Sequence, residues 1–161
     1  MAKKVKVKKT LVEQILTKAG IDHQGIQINA LEGELPSNYD RNHIFKTLAL
    51  LGDKTGPVIG IVPITEHLSE KKLAKISGNK KVAMIPQKDL EKTTGYIHGA
   101  NNPVGIRQKH NYPIFIDETA LELEKMIVSA GEVGHSIIIT PKDLANFVKA
   151  SFVDILEESN L

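Results

Sequence analysis

His43-Ile44-Phe45-Lys46-Thr47-Leu48-Ala49-Leu50-Leu51 is apolar on both strand faces, with Lys46 the charged exception in its interior. Strand residues alternate between faces, so a run that is apolar at both parities is buried on both sides and belongs inside a sheet. Gly52-Asp53-Lys54-Thr55-Gly56 turns it into a second apolar run, Pro57-Val58-Ile59-Gly60-Ile61-Val62-Pro63. That turn lacks the Gly-x-x-x-x-Gly-Lys-Thr frame that wraps a phosphate chain, so it reads as a plain connection between two interior strands.

The rest of the chain arranges itself around this pair. Upstream, Thr10-Leu11-Val12-Glu13 has capping-box spacing and opens a helix that Ala19-Gly20 closes, with Leu11, Ile15 and Ala19 on one face. Gly25 to Asn29 alternates as a half-buried strand, and Glu32 to Asp40 is rich in turn formers. Downstream, Ser69 caps a helix that Gly78 ends, Lys81 to Ile85 is a short strand, and Pro86 to Thr94 a short helix. Ile114 to Asp117 and Lys125 to Ser129 are strands, the second pairing with Gly134 to Ile139 across Ala130-Gly131-Glu132-Val133. Thr140-Pro141-Lys142-Asp143 starts a last helix that runs to about Ala150. Strands and helices mix without regular alternation, which argues an α+β fold.

At 161 residues and 41% apolar content the chain fills one core, so residues 1–161 are expected to form a single domain, with residues 1–9 a basic terminus that frays. No apolar run is long enough to span a membrane and Met1 to Lys9 lacks the centre of a secretory signal, so no membrane partner and a cytoplasmic location are expected. With no cysteine there are no disulfides, thiolate nucleophiles or cysteine-held zinc sites. The six histidines, at 23, 43, 67, 98, 110 and 135, show no ligand spacing, and neither a metal nor a cofactor is expected. A net charge of +2 gives no strong overall pull on nucleic acid. The lysines at 3–9, 71, 72, 75, 80 and 81 suit either solvated faces or local phosphate contacts.

The densest punctuation is Gly95-Tyr96-Ile97-His98-Gly99-Ala100-Asn101-Asn102-Pro103-Val104-Gly105. Three glycines and a proline in one stretch make a loop that presents backbone N–H groups, suited to a phosphate, a carboxylate or the oxyanion of an ester under attack. Lys46, on the strand face of Ile44, Leu48 and Leu50, has an ammonium that must reach water, an anion or a pocket.

Phe45-Lys46-Thr47-Leu48, this loop, Pro113-Ile114-Phe115-Ile116-Asp117 and Val128-Ser129-Ala130-Gly131, in that order and spacing, resemble the YbaK/EbsC family of aminoacyl-tRNA deacylases, related to the editing domain inserted in bacterial prolyl-tRNA synthetases. The resemblance covers residues 38 to 155. It implies a strongly curved, barrel-like mixed β-sheet surrounded by helices. It also implies a trans-editing deacylase for mischarged tRNA, Cys-tRNA(Pro) first and Ala-tRNA(Pro) as the alternative, with prolyl-tRNA synthetase as a further partner. Cleavage would be by hydrolysis, or by lyase-type release through the substrate thiol. A non-catalytic module that binds tRNA or the synthetase, or a regulator, is the reading from another class.

Carried onto this chain, the resemblance makes Lys46, Gly99 and Asn102 the catalytic residues, Asn102 standing where many relatives have serine. His98, Ala100, Asn101, Pro103, Ser129, Gly131 and Ser136 would bind substrate. Ser136 falls where the family often has aspartate, and Asn29 near where it has an aromatic. His98 is expected as a pocket wall, with a role as base open. Arg107 and Lys109 are expected at tRNA phosphates, where ordinary exposed charge is the competing reading.

Overall fold

The computed structural model describes residues 9–28, 35–36 and 38–158. Asn29 and the basic run from Lys3 to Lys8 lie outside the described residues. The helices are α1 (Leu11–Lys18), α2 (Glu70–Ser77), α3 (Gln87–Thr94), α4 (Pro103–Lys109) and α5 (Pro141–Val148). The strands are β1 (His23–Gln27), β2 (Phe45–Gly52), β3 (Gly56–Pro63), β4 (Val82–Met84), β5 (Ile114–Asp117), β6 (Met126–Glu132), β7 (His135–Ile139) and β8 (Ser151–Val153).

β2 is the pivot. On one side it pairs along its whole length with β3, antiparallel, from Phe45 opposite Pro63 to Gly52 opposite Gly56. Its other side is divided. β4 takes the far end, Leu50 to Gly52, while at the near end Ile44 makes a single parallel bridge to Ile127 in β6. Beyond β3 the sheet continues in parallel through β5 to β8. β6 belongs to an antiparallel sheet in the order β1-β7-β6. The architecture is therefore α+β with one mixed and one antiparallel sheet. Among the described residues the ladders do not close into the barrel-like sheet that the resemblance implies, because pairing breaks where β2 changes neighbours.

The alternation in β2 sorts its side chains into separate cores. Phe45 and Ala49 join the main cluster, which holds Val12 and Leu16 of α1, Val104 and Ile106 of α4, Val128 and Ala130 of β6 and Leu144 of α5. Leu50 faces a second cluster with Leu68 and Leu73 at α2. Ile44 packs with Ile127 and Ile138 in a third. Each such aliphatic side chain taken fully out of water contributes about 1.5–3 kcal/mol.

The capping box of α1 forms as expected: Glu13 N–H donates to Thr10 Oγ1 at 3.3 Å, and Thr10 N–H to Glu13 Oε2 at 2.8 Å. β2 begins at Phe45 rather than His43, because Asp40 caps a short 3-10 turn over Arg41–His43. β1 is shifted upstream, to His23. The expected loop through Gly105 gives way to helix at Pro103, where Asn102 caps α4. β8 follows a helix end at Lys149, whose φ of 58° puts a lysine where glycine would have announced the stop.

Candidate active site

The glycines of the Gly95–Gly105 stretch have distinct uses. Gly95, at φ 89°, ends α3 in a left-handed conformation and sends Tyr96 toward α4. A Cβ on Gly105 would overlap the Tyr96 ring and hydroxyl, and one on Gly131 would lie 3.3 Å from Tyr96 Cε1 and 3.1 Å from Val12 Cγ2. Both glycines are therefore notches that let an aromatic ring lock the loop to α4 and β6. Asn102 is fully buried, with Oδ1 accepting from Gly105 N–H at 2.6 Å and Nδ2 donating to the Ala100 carbonyl at 3.0 Å. The Thr94 hydroxyl lies 2.8 Å from Asn101 Oδ1 and accepts from Tyr96 N–H at 3.1 Å.

This network fixes a short segment in the open. Gly99 is exposed at φ 88°, and its carbonyl lies 3.5 Å from Ser129 Oγ. Ala100 N–H is occupied by the Ile97 carbonyl at 3.0 Å. The amides of Gly99 and Asn101 have no partner among the described residues. Ala100, Asn101, Asn102 and Pro103 are all buried beneath. The Asn102 amide is committed to the helix cap, so it acts on a ligand only through the loop it holds.

Strand register relates Lys46 to Ser129, whose hydroxyl reaches this loop. Ile44 and Ile127 are bridged in parallel, so the next residues of that parity, Lys46 and Ser129, follow on the same face. Ser129 is paired with Ser136 across β6 and β7, and Ser136 with Ile26 of β1. Ile44, Ile127 and Ile138, with Ile26 against them, form the apolar part of this face, and Lys46, Ser129 and Ser136 are its polar continuation. Ser129 Oγ also accepts from Gly131 N–H at 3.2 Å, where β6 is irregular between Ser129 and Glu132. Lys46 is half-buried and makes no ion pair among the described residues.

Beside Lys46 a pocket of about 400 Å³ is lined by Leu48, His67, Leu68, Glu70, Met84 and Glu157. Sequence reading missed His67, Glu70 and Glu157, which come from a loop, the start of α2 and the C-terminal segment, and no local motif marks them. The segment is held in place by bonds from Glu157 N–H to the His67 carbonyl at 2.9 Å and from Ser69 N–H to the Ile155 carbonyl at 2.7 Å.

Other expected residues lie further out. His98 is exposed. Arg107 is turned inward: Nε donates to the Val148 carbonyl at the end of α5 at 2.6 Å and Nη1 to Asn111 Oδ1 at 2.9 Å, and burial pulls its pKa below the usual arginine value. Lys109 Nζ sits 4.4 Å over the Tyr96 ring, a cation–π contact. The described residues contain no cluster of three or more His, Asp or Glu able to hold a metal ion, and no helix among them is long and apolar enough to cross a membrane.

Residues 35–147 match the model of the aminoacyl-tRNA editing domain, and the chain belongs to that family. A relative from Enterococcus faecalis, EbsC, named as a candidate Cys-tRNA(Pro)/Cys-tRNA(Cys) deacylase, is 43% identical over 116 residues, which are 72% of this chain and 70% of the relative. Among solved structures, a candidate trans-editing enzyme for prolyl-tRNA synthetase superposes with a TM-score of 0.74 at 21% identity, covering 91% of this chain and 95% of its own. A scaffold protein from work on epitope backbone grafting superposes with a TM-score of 0.79 at 23% identity, covering 92% and 96%. At those identities the two structures show likeness of fold.

Proposed function

We propose that the protein is a deacylase acting in trans on mischarged tRNA, with Cys-tRNA(Pro) as its leading substrate. What supports this reading is that strand register gives Lys46, Ser129 and Ser136 one parity, with Ser129 Oγ 3.5 Å from the carbonyl of the exposed Gly99, within a chain of the editing family. An aminoacyl ester is already activated, so what its cleavage needs most is positioning and a place for the developing negative charge. The exposed amide of Gly99, without a partner among the described residues, offers that place. One oxyanion donor of this kind is worth about 10²–10³ in rate. Lys46 adds a positive charge for the ester or the terminal phosphate oxygens.

Cleavage breaks the bond between the acyl carbon and the ribose oxygen, which leaves with a proton. Water as the attacking group gives the free amino acid, a hydrolase outcome. The thiol of a cysteinyl ester as the attacking group gives a cyclic thioester, a lyase-type outcome. Prolyl-tRNA synthetase is the proposed source of the mischarged tRNA and a proposed partner, residues 1–161 one domain of this kind, and the cytoplasm the site of action. Incubation with Cys-tRNA(Pro), Ala-tRNA(Pro) and correctly charged Pro-tRNA(Pro) tests the reading. Faster loss of a mischarged ester than in buffer, with the prolyl ester spared, is expected; loss of none, or of all three alike, contradicts it.

A further inference from the structure

Thr47 Oγ1 is the one side-chain nitrogen or oxygen among the described residues that is buried without a hydrogen-bond partner. Thr47 is 8% exposed and sits in β2 directly after Lys46, on the face of Phe45 and Ala49. An unpaired buried hydroxyl destabilises a fold, and valine would fill the same shape without that cost. Such a group is a reason to look for a ligand atom that completes it.

The backbone supplies the direction. N–H and C=O of one strand residue point to the same edge, and successive residues alternate. The Ile44 carbonyl accepts from Ile64 N–H at 2.9 Å, just beyond β3, whereas the Ala49 carbonyl accepts from Ile85 N–H at 3.1 Å, just beyond β4. Thr47 has the parity of Ala49, so its N–H and C=O point away from β3. They face the stretch that β6 leaves after Ile44 and that β4 reaches only at Leu50. Thr47 thus has an outward carbonyl and a hydroxyl, both acceptors, on a stretch of β2 that has no ladder partner on that side among the described residues, next in sequence to the lysine that takes the ester.

We propose that Thr47 is a substrate-positioning residue that binds the α-ammonium group of the aminoacyl ester through its carbonyl and hydroxyl. The proposal rests on the deacylase reading and deepens it. Every unmodified aminoacyl-tRNA carries this cation whatever its side chain, and recognising it needs acceptors set apart from the Lys46 charge. A group entering the open edge meets the carbonyl directly and the hydroxyl after rotation about χ1.

The test compares wild type, Thr47→Val and Thr47→Ser on whichever of Cys-tRNA(Pro) and Ala-tRNA(Pro) the wild type cleaves, each with its N-acetylated form, in which the cation is gone. Wild type should prefer the free amine. Thr47→Val should raise KM for the free-amine ester about tenfold, the loss expected for a hydrogen bond to a charged group, and leave the N-acetyl ester unchanged, so that the preference collapses. Thr47→Ser should restore it. The unfolding midpoint of Thr47→Val should equal or exceed that of wild type, which a structural hydroxyl would not allow. An unchanged preference in Thr47→Val, equal losses on both esters, or failure of serine to rescue overturns the proposal. Cleavage of no ester by the wild type would instead overturn the deacylase reading, and this proposal with it.

Discussion

At its far end β2 runs into a turn in which Asn79, 7% exposed, uses its whole amide: Oδ1 accepts from the N–H groups of Lys54 and Thr55 at 2.8 and 3.0 Å, and Nδ2 donates to Thr55 Oγ1 and Ser77 Oγ at 3.0 and 2.9 Å. Toward its near end Thr47, equally buried, leaves its hydroxyl without a partner. Asp53 completes the far end by accepting from Lys80 and Lys81 N–H. The same strand is therefore closed by polar satisfaction where it turns and keeps an unpaired hydroxyl beside Lys46. Turn stability and ester chemistry should separate under mutation.

Apart from loss of Lys46 itself, the largest expected effect comes from the glycine loop. Gly105→Ala forces a methyl into the Tyr96 ring, and overpacking at such a site costs about 1–3 kcal/mol. Because Tyr96 also touches Gly131, the start of α4 and the Gly99 segment should shift together, and deacylation should fall more than tenfold even where the protein stays folded. Kinetics at a temperature well below the unfolding midpoint check this. Normal kcat/KM would show that the ring does not set the loop.

Next comes the far end. Asn79→Ala strands two turn amides and should cost about 1–3 kcal/mol in a urea titration. Deacylation by the folded fraction should stay within about twofold of wild type, since sites this far apart along a strand act independently. A large loss of turnover would erase the distinction between the two ends.

The smallest effect is a pH dependence. Bonds from the amide of Lys81, and then of Lys80, hold the Asp53 carboxyl below its ordinary pKa of 3.8, against a desolvation that raises it. A depressed folded-state pKa gives stability that is present above 3.8 and lost as pH falls through the lower folded value. Asp53→Asn should therefore flatten the loss of stability below about pH 4 and leave the neutral-pH activity untouched. A denaturation series across that range, with an unchanged slope in the variant, would assign the loss to other carboxylates.

Sequence reading reached the interior strand, the β6–β7 pairing and the capped helices, because each is announced locally: both parities apolar in β2, the Thr10–Glu13 box, Pro141 at the start of α5. It also named Lys46, Gly99, Ser129 and Ser136 as candidates, with the family resemblance as guide. Their placement on one face depends on the Ile44–Ile127 bridge, a contact between distant segments that no local pattern announces. The α4 boundary was misread because Asn102-Pro103 serves equally as a turn and as a cap with proline after it. The exposed choice between solvated charge and tRNA contact at Arg107 was not legible either, because the Val148 carbonyl that receives its guanidinium lies far along the chain. Satisfaction of polar atoms, the feature that sets Thr47 apart from Asn79, is a tertiary property altogether.

The account stands most directly on Lys46. Deacylation of Cys-tRNA(Pro) by Lys46→Ala, measured beside Asn79→Ala under conditions where both are folded, should be at least about a hundredfold slower than wild type for the lysine variant and near normal for the other. The Lys46 variant should keep its unfolding midpoint, since Lys46 makes no ion pair among the described residues. Near-normal deacylation by a folded Lys46→Ala protein would contradict the assignment of ester chemistry to this end of β2.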